Sequence, residues 1–118
     1  KVNWDKMPCT ADAAVITQMN RRGQIKGCVI DGPLALDNAI SAESARIKKI
    51  VSEVAGDADV LVAPDIEAGN ILYKCLLDLG QAKGAGIVVG AAKPIVLTSR
   101  ADSAETKLAS IALAALAS

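Results

Sequence analysis

The chain has 118 residues whose thirteen basic and thirteen acidic side chains cancel, which gives no electrostatic case for binding nucleic acid or an anionic membrane. Hydrophobic residues make up 52% of the sequence although Trp4 and Tyr73 are its only aromatic residues, so we expect one compact domain with an aliphatic core. The longest apolar run, residues 111–117, is too short to cross a bilayer, and we expect no membrane partner.

Residue types that the sequence lacks exclude several kinds of chemistry. There is no histidine, which removes the commonest general base, the Ser-His and Cys-His nucleophile pairs, and most catalytic zinc sites. Cys9, Cys28 and Cys75 have neither CxxC spacing nor even pairing, so they indicate no disulfide framework and no metal site, and they fit a reducing cytoplasm. Any catalysis must therefore use carboxylates, lysine, arginine, hydroxyl groups or the backbone.

The first half of the chain predicts three helices and one short buried strand. The predicted helices are 11–22, 34–40 and 42–54, with Thr10 and Ser41 as N-caps and Gly23 as the first C-terminal stop. The apolar run 27–31 is the predicted strand, and it ends in Asp31 followed by Gly32 and Pro33. By default this is a strand-end turn, but Gly32 and Pro33 would form the wall of a site if a ligand lies there.

The second half predicts strands alternating with helices. The predicted strands are 59–63, 86–90 and 95–97, and the predicted helices are 67–79 and 103–117. Only four residues separate the last two strands, too few for a parallel crossover, so they form an antiparallel hairpin or divergent neighbours. This order predicts an α/β domain with three layers, α/β/α, around a mostly parallel sheet with one reversed strand.

The last predicted helix is apolar almost all round. Such a helix is normally buried on every side, and a domain of 118 residues has little material left to cover it. Either a partner subunit covers this helix or the chain is part of a longer protein.

Two glycine-containing stretches each allow two interpretations. In residues 84–90, glycines bracket a predicted strand rather than follow it, so a turn-and-packing role is favoured over a dinucleotide loop. In the predicted helix 67–79, Asp65 serves as the cap and Lys74 is solvated on the plain interpretation. Gly69 and Asn70 are poor helix formers in its first turn, and a closely approaching ligand would account for them.

Residues 95–107 form a predicted strand, a polar turn and a capped helix, which is a common place for anion binding. On the plain interpretation Asp102 or Ser103 caps the helix and Arg100 pairs with a carboxylate. The functional interpretation rests on three strand-end turns, at Asp31, Asp65 and Ser99, which would meet at one edge of a parallel sheet.

Three stretches also resemble the phosphate butyryltransferases, a family grouped with the phosphate acetyltransferases. These stretches are DGPLALDNA at 31–39, ADVLVAPDIEAGNILYK at 58–74 and PIVLTSRADSAETK at 94–107. The resemblance covers essentially the whole chain, and the continuation ADSAETK favours the butyryl branch. It implies a two-domain fold of the isocitrate and isopropylmalate dehydrogenase type, of which this chain, a single α/β domain over 1–118, is the C-terminal portion.

The resemblance implies transfer of a butyryl or other short acyl group between coenzyme A and inorganic phosphate. The reaction passes through a ternary complex without a metal, coenzyme A being a substrate and no cofactor being required. By resemblance Ser99 hydrogen-bonds the thiol and Arg100 holds the phosphoryl group. The family's aspartate base matches Thr106 here, so the adjacent Glu105 is the substitute, with Asp102 or a residue outside the chain as alternatives.

Acyl-CoA and phosphate are thus the expected partners, and we expect a homo-oligomer, namely a homodimer. The alternative is a non-catalytic fragment that folds, dimerises through its apolar helices and binds coenzyme A or phosphate weakly. Turnover by residues 1–118 alone would separate the two hypotheses.

Overall fold

The structure is a computed structural model that describes all residues from Lys1 to Ser118. Its helices are α1 (Pro8–Arg21), α2 (Leu36–Ile40), α3 (Ala42–Ile47), α4 (Ile66–Lys74), a π-helical segment (Cys75–Leu79) and α5 (Ala104–Leu116). The chain divides into two compact units, Lys1–Pro64 and Asp65–Ser118. That residues 1–118 form a single domain stays a prediction.

Helix α1 of the first unit begins three residues earlier than the sequence predicts, with Pro8 in its first turn. Thr10 lies inside the helix rather than capping it: its hydroxyl donates to Met7 O at 2.7 Å and accepts from Asn3 N at 2.7 Å. At the other end Asn20 holds the following loop, since its side chain donates to Ile25 O and accepts from Ile30 N, both at 3.0 Å. The loop is therefore fixed by side-chain hydrogen bonds.

Helices α2 and α3 carry the two buried aliphatic residues of the chain, Ala39 and Ala45. Ser41 caps α3 as predicted, because its hydroxyl accepts from Ser44 N at 3.1 Å. Gly56 approaches α3 so closely that a Cβ there would lie 2.6 Å from Ala42 Cα, and its φ of +92° also favours glycine. Small residues thus allow the close packing in this part of the unit.

Helix α3 ends at Ile47, seven residues before the predicted end at Val54. Lys49 adopts a left-handed φ of 53°, and Ile50 N donates back to Ala45 O at 3.0 Å. Ser52 then accepts from the backbone N–H groups of Val54 and Ala55, both at 3.0 Å, which gives these residues a turn instead of a helix.

The second unit begins with α4, which Asp65 caps as predicted by accepting from Ala68 N at 2.7 Å. The π-helical segment follows and ends at Gly80, whose N–H donates to Cys75 O at 2.9 Å. A Cβ at Gly80 would lie 2.8 Å from Leu76 O, so glycine fits this tight end. Helix α5 is capped by Ser103, which accepts from Thr106 N at 3.1 Å.

The prediction of a three-layer α/β/α domain with a mostly parallel sheet is wrong for this structure. The segments 27–31 and 59–63 make no strand pairing, and the only β-bridges are the isolated antiparallel pairs Asn3 with Met7 and Val88 with Ile95. The second bridge has the antiparallel sense expected for 86–90 and 95–97, but it consists of a single residue pair. Apolar, β-branched runs favour extended backbone, yet a strand also needs a ladder of backbone hydrogen bonds, which these segments do not form.

The predicted aliphatic core is also not seen. Apart from Ala39 and Ala45, the buried residues are polar: Thr10, Thr17, Asn38 and Ser110. Large apolar side chains remain exposed on the predicted strands, such as Val62 at 89%, and on α5, where Leu116 is 87% exposed. None of the helices has both the length and the apolar character that crossing a membrane requires.

Candidate active site

A cavity of about 290 Å³ lies within the second unit. It is lined by Asn70, Tyr73, Lys74, Gly86, Leu97, Thr98, Ser99, Asp102 and Ser110. Three of these residues come from α4, four from the segment that precedes α5, one from α5 itself and one from the loop after the π-helical segment. The cavity thus brings together Asn70 and Lys74 of one stretch and Ser99 of another, all three of which the sequence predicts as site residues.

The turn that carries Ser99 is closed by two hydrogen bonds to Asp102. Ser99 N donates to Asp102 Oδ2 at 2.7 Å, and Asp102 N donates to Ser99 O at 3.1 Å. The Ser99 hydroxyl accepts only a long bond from Ala101 N, at 3.3 Å. Its own proton has no acceptor within the protein, so it is available to a molecule in the cavity.

Lys74 brings a positive charge to the cavity without a carboxylate partner. Its side chain is half-buried and forms no ion pair, and its Nζ lies 5.7 Å from the centre of the Tyr73 ring. An ammonium group at this distance from a ring face is attracted to it. Asn70, one helical turn earlier, adds an amide that makes no hydrogen bond within the protein. An unpaired ammonium and an amide are suitable ligands for an anion.

Ser110 and Gly86 form another part of the cavity wall. Ser110 is fully buried; its hydroxyl accepts from Gly86 N at 3.0 Å and donates to Thr106 O at 2.7 Å. The loop containing Gly86 is thereby attached to α5 through a side chain 24 residues away in sequence.

Arg100 and Glu105, the other two predicted catalytic residues, do not line the cavity. Arg100 is exposed and forms no ion pair, so the pairing with a carboxylate considered from sequence is absent. Glu105 Oε1 lies 2.9 Å from Lys83 Nζ, and this contact raises the pKa of the Lys83 ammonium. Thr106, which occupies the position of the family's base, has its hydroxyl 3.0 Å from that of Ser103.

The remaining predicted binding residues take other places. Gly69 lies in the first turns of α4, where its N–H donates to Asp65 O at 3.1 Å, and it does not line the cavity. Gly32 and Pro33 belong to the first unit, joined by a cis peptide bond. A Cβ on Gly32 would lie 3.1 Å from Ala13 Cβ, so its contact is with helix α1.

Sequence reasoning does not identify five of the cavity residues: Tyr73, Gly86, Leu97, Thr98 and Ser110. For Gly86 there is a signal, because a glycine in a predicted strand, here its first residue, often marks a close approach of a ligand or of other backbone. Ser110 gives no such signal, since serine in an apolar helix commonly bonds the carbonyl one turn earlier. No group of three or more acidic or cysteine side chains is arranged to hold a metal ion.

The sequence pattern described as phosphate acetyl/butaryl transferase matches residues 1–115. The chain belongs to this family. Its similar members include a phosphate acetyltransferase from Thermotoga maritima, 60% identical over 111 residues, which are 94% of this chain and 38% of the relative. A phosphate butyryltransferase from Clostridium acetobutylicum is also 60% identical over 111 residues, 94% of this chain and 37% of the relative. The resemblance to the phosphate acetyl/butaryl transferase family is therefore confirmed.

A solved structure of a phosphotransacylase also matches this chain. The crystal structure of a branched-chain phosphotransacylase from Enterococcus faecalis V583 superposes with a TM-score of 0.81 and 41% sequence identity. The match covers 98% of this chain and 41% of that one. The chain thus spans little more than a third of the length of the transferases that it matches in sequence.

Proposed function

We propose that residues 1–118 are part of a phosphate acyltransferase that moves a butyryl or other short acyl group between coenzyme A and inorganic phosphate. The observation that carries the proposal is the cavity in which the free hydroxyl of Ser99 meets Lys74 and Asn70. Family membership supports the reaction class, and an unpaired cation with a hydroxyl donor suits substrates that carry phosphate and a thiol. The three cysteines are free thiols, which agrees with a reducing, cytoplasmic location.

In this proposal Ser99 and Arg100 bind the two reacting groups. The Ser99 hydroxyl donates to the sulfur of coenzyme A, whose ionised form it stabilises. Arg100 binds the phosphoryl group, since its planar guanidinium can hold two phosphate oxygens and stays charged at all relevant pH values. Its exposure and lack of an ion pair leave the guanidinium free for this contact.

For the base we propose Asp102 in place of Glu105. Asp102 lines the cavity and accepts from Ser99 N through Oδ2, which leaves Oδ1 available for a proton. Glu105 Oε1 is instead 2.9 Å from Lys83 Nζ. A general base must lie within hydrogen-bond reach of the proton that it removes, and the position of Asp102 beside Ser99 meets this requirement better.

The proposed reaction is an acyl transfer in which Asp102 carries the proton. Asp102 takes the thiol proton, the thiolate attacks the carbonyl carbon of the acyl phosphate, and a carbon–sulfur bond forms. The carbon–oxygen bond to phosphate then breaks, and the leaving phosphate keeps its electron pair next to Arg100 and takes up the proton from Asp102, which restores the carboxylate. In the reverse direction Asp102 takes the proton of hydrogen phosphate, a phosphate oxygen attacks the thioester, the carbon–sulfur bond breaks, and the departing thiolate receives the proton from Asp102.

The test is thiol release from butyryl-CoA and phosphate by the full-length protein that contains these residues. Arg100→Ala should lower kcat/KM for phosphate by about a hundredfold, because it removes a charge-assisted contact to the transferred group. Lys93→Ala, which removes an exposed cation outside the cavity, is the matched control and should leave turnover close to that of the wild type. Unchanged turnover in Arg100→Ala would exclude the assigned role.

A second candidate concerns residues 1–118 on their own: a non-catalytic unit that dimerises through apolar helices. It is favoured by the exposure of Leu108, Ile111 and Leu116 on α5, which is 58% or more for each. Large apolar side chains that are exposed on one helix can form an interaction surface. Sedimentation of this chain together with the thiol-release assay separates the candidates, since appreciable turnover by the chain alone would exclude the non-catalytic one.

A further inference from the structure

Gly86 is a glycine that neither its backbone nor its surroundings require. Its φ lies outside the left-handed region that favours glycine, and a Cβ built on it would have no atom within 4 Å. Gly84, two residues earlier, differs: a Cβ there would lie 2.7 Å from Leu77 Cδ2 and 3.1 Å from Tyr73 Oη. Packing therefore accounts for Gly84 but leaves Gly86 without a structural reason.

The position of Gly86 suggests a functional reason. Gly86 lines the cavity together with Ser99, and the buried Ser110 hydroxyl holds its N–H at 3.0 Å. The bare Cα is thus held at the cavity wall, where Gly86 is exposed and an added Cβ would lie in open space. Tyr73 and Leu97 line the same cavity and supply apolar surface beside the polar groups.

We propose that Gly86 determines the length of acyl chain that the site accepts. The inference rests on the proposed function. The outer carbons of a butyryl group occupy the space that a side chain at residue 86 would otherwise fill. The ring of Tyr73 and the side chain of Leu97 provide the apolar contacts for those carbons. An acetyl group, which ends two carbons earlier, does not need this space.

The experiment compares acetyl-CoA and butyryl-CoA as substrates of the full-length protein, with Gly86→Ala and Gly86→Val as variants. We expect Gly86→Val to lower the butyryl-to-acetyl ratio of kcat/KM by about tenfold or more, the scale on which one or two methylene groups are discriminated. Gly86→Ala should give a smaller change in the same direction. Both variants should keep the circular dichroism spectrum of the wild type, because the added Cβ meets no atom within 4 Å.

Ala85→Val is the matched control, since it adds two methyl groups at an exposed neighbour that does not line the cavity. Its acyl preference should equal that of the wild type. If the wild type is active but Gly86→Val leaves the ratio unchanged, or lowers both substrates equally, the inference is overturned while the proposed function stands. If the wild type turns over neither acyl-CoA, the proposed function fails and the inference fails with it.

Discussion

Ser99 and Asp102 hold each other through two hydrogen bonds of opposite direction, one from Ser99 N to Asp102 Oδ2 at 2.7 Å and one from Asp102 N to Ser99 O at 3.1 Å. This pair of hydrogen bonds fixes the turn at the edge of the cavity and uses only one of the two carboxylate oxygens of Asp102. The hydroxyl proton of Ser99 and the Oδ1 atom of Asp102 therefore both remain without a hydrogen-bond partner in the protein.

The first prediction distinguishes the two candidate bases. Asp102→Asn keeps an oxygen that can accept from Ser99 N but removes the basic carboxylate, so kcat for thiol release should fall by about a hundredfold or more. Glu105→Gln should change kcat by less than about threefold, because Glu105 contacts the exposed Lys83 rather than the cavity. The two variants are measured side by side with butyryl-CoA and phosphate, and a larger loss in Glu105→Gln would reverse the assignment.

The second prediction concerns the charge of Lys74. Lys74→Met keeps much of the aliphatic side chain that lies beside Tyr73 but removes the ammonium group. If Lys74 binds an anionic part of a substrate, KM for that substrate should rise by about tenfold or more, the loss expected for one hydrogen bond to a charged group. Steady-state kinetics with each substrate varied in turn identify which KM changes, and equal KM values for both substrates in variant and wild type would rule out this role.

The third prediction concerns stability at the wall of the cavity. Ser110→Ala removes the fully buried hydroxyl that accepts from Gly86 N and donates to Thr106 O, so the free energy of unfolding should fall by about 0.5–1.5 kcal/mol. Ser118→Ala removes a hydroxyl that donates to Ala114 O at the exposed end of the chain, and it should cost less than about 0.5 kcal/mol. Urea unfolding followed by circular dichroism measures both, and equal stabilities of the two variants would show that the buried bond contributes nothing.

The fourth prediction concerns pH and the first unit. Hydrogen bonds from Lys48 at 2.6 Å and from Ser44 lower the pKa of Asp37 below its usual value of 3.8. A lowered pKa stabilises the fold above the unfolded-state value, and that contribution disappears as pH falls through the still lower folded-state value.

Urea unfolding between pH 6 and pH 2 should therefore show an acid-dependent loss of stability that Asp37→Asn reduces. Asp57→Asn, at an exposed carboxylate without an ion pair, is the control and should keep the loss seen in the wild type. An identical pH profile in Asp37→Asn and wild type would contradict the contribution of this contact. Because the pair is exposed, added salt should weaken the effect.

The parts of the fold that could be predicted from sequence are those with local causes. Ser41, Asp65 and Ser103 cap their helices because each side chain reaches an N–H three residues ahead. The end of α3 was not predictable in the same way, since Lys49 takes a left-handed φ where no glycine signals a stop. Strands depend on partners that are distant in sequence, and apolar runs such as 59–63 contain no information about whether such partners pair with them.

The candidate site likewise has residues that local sequence patterns indicate and residues that they do not. Ser99 and Asn70 could be found from sequence because a polar turn and a poor helix former signal them locally, and the cavity brings them together with Lys74. Gly86 and Ser110 meet across 24 residues, a contact that no local pattern encodes. The family resemblance identified the reaction class, but it could not choose between Asp102 and Glu105, because that choice depends on which carboxylate faces the cavity.

The most direct measurement of the central claim is the effect of Ser99→Ala on kcat for thiol release from butyryl-CoA and phosphate in the full-length protein. If the cavity beside Ser99 is the site of acyl transfer, removal of its hydroxyl should lower kcat by about a hundredfold, as expected for one donor that stabilises developing charge. Ser118→Ala, a serine removed from the far end of α5, should remain within about twofold of the wild type. A Ser99→Ala variant as active as Ser118→Ala would contradict the claim.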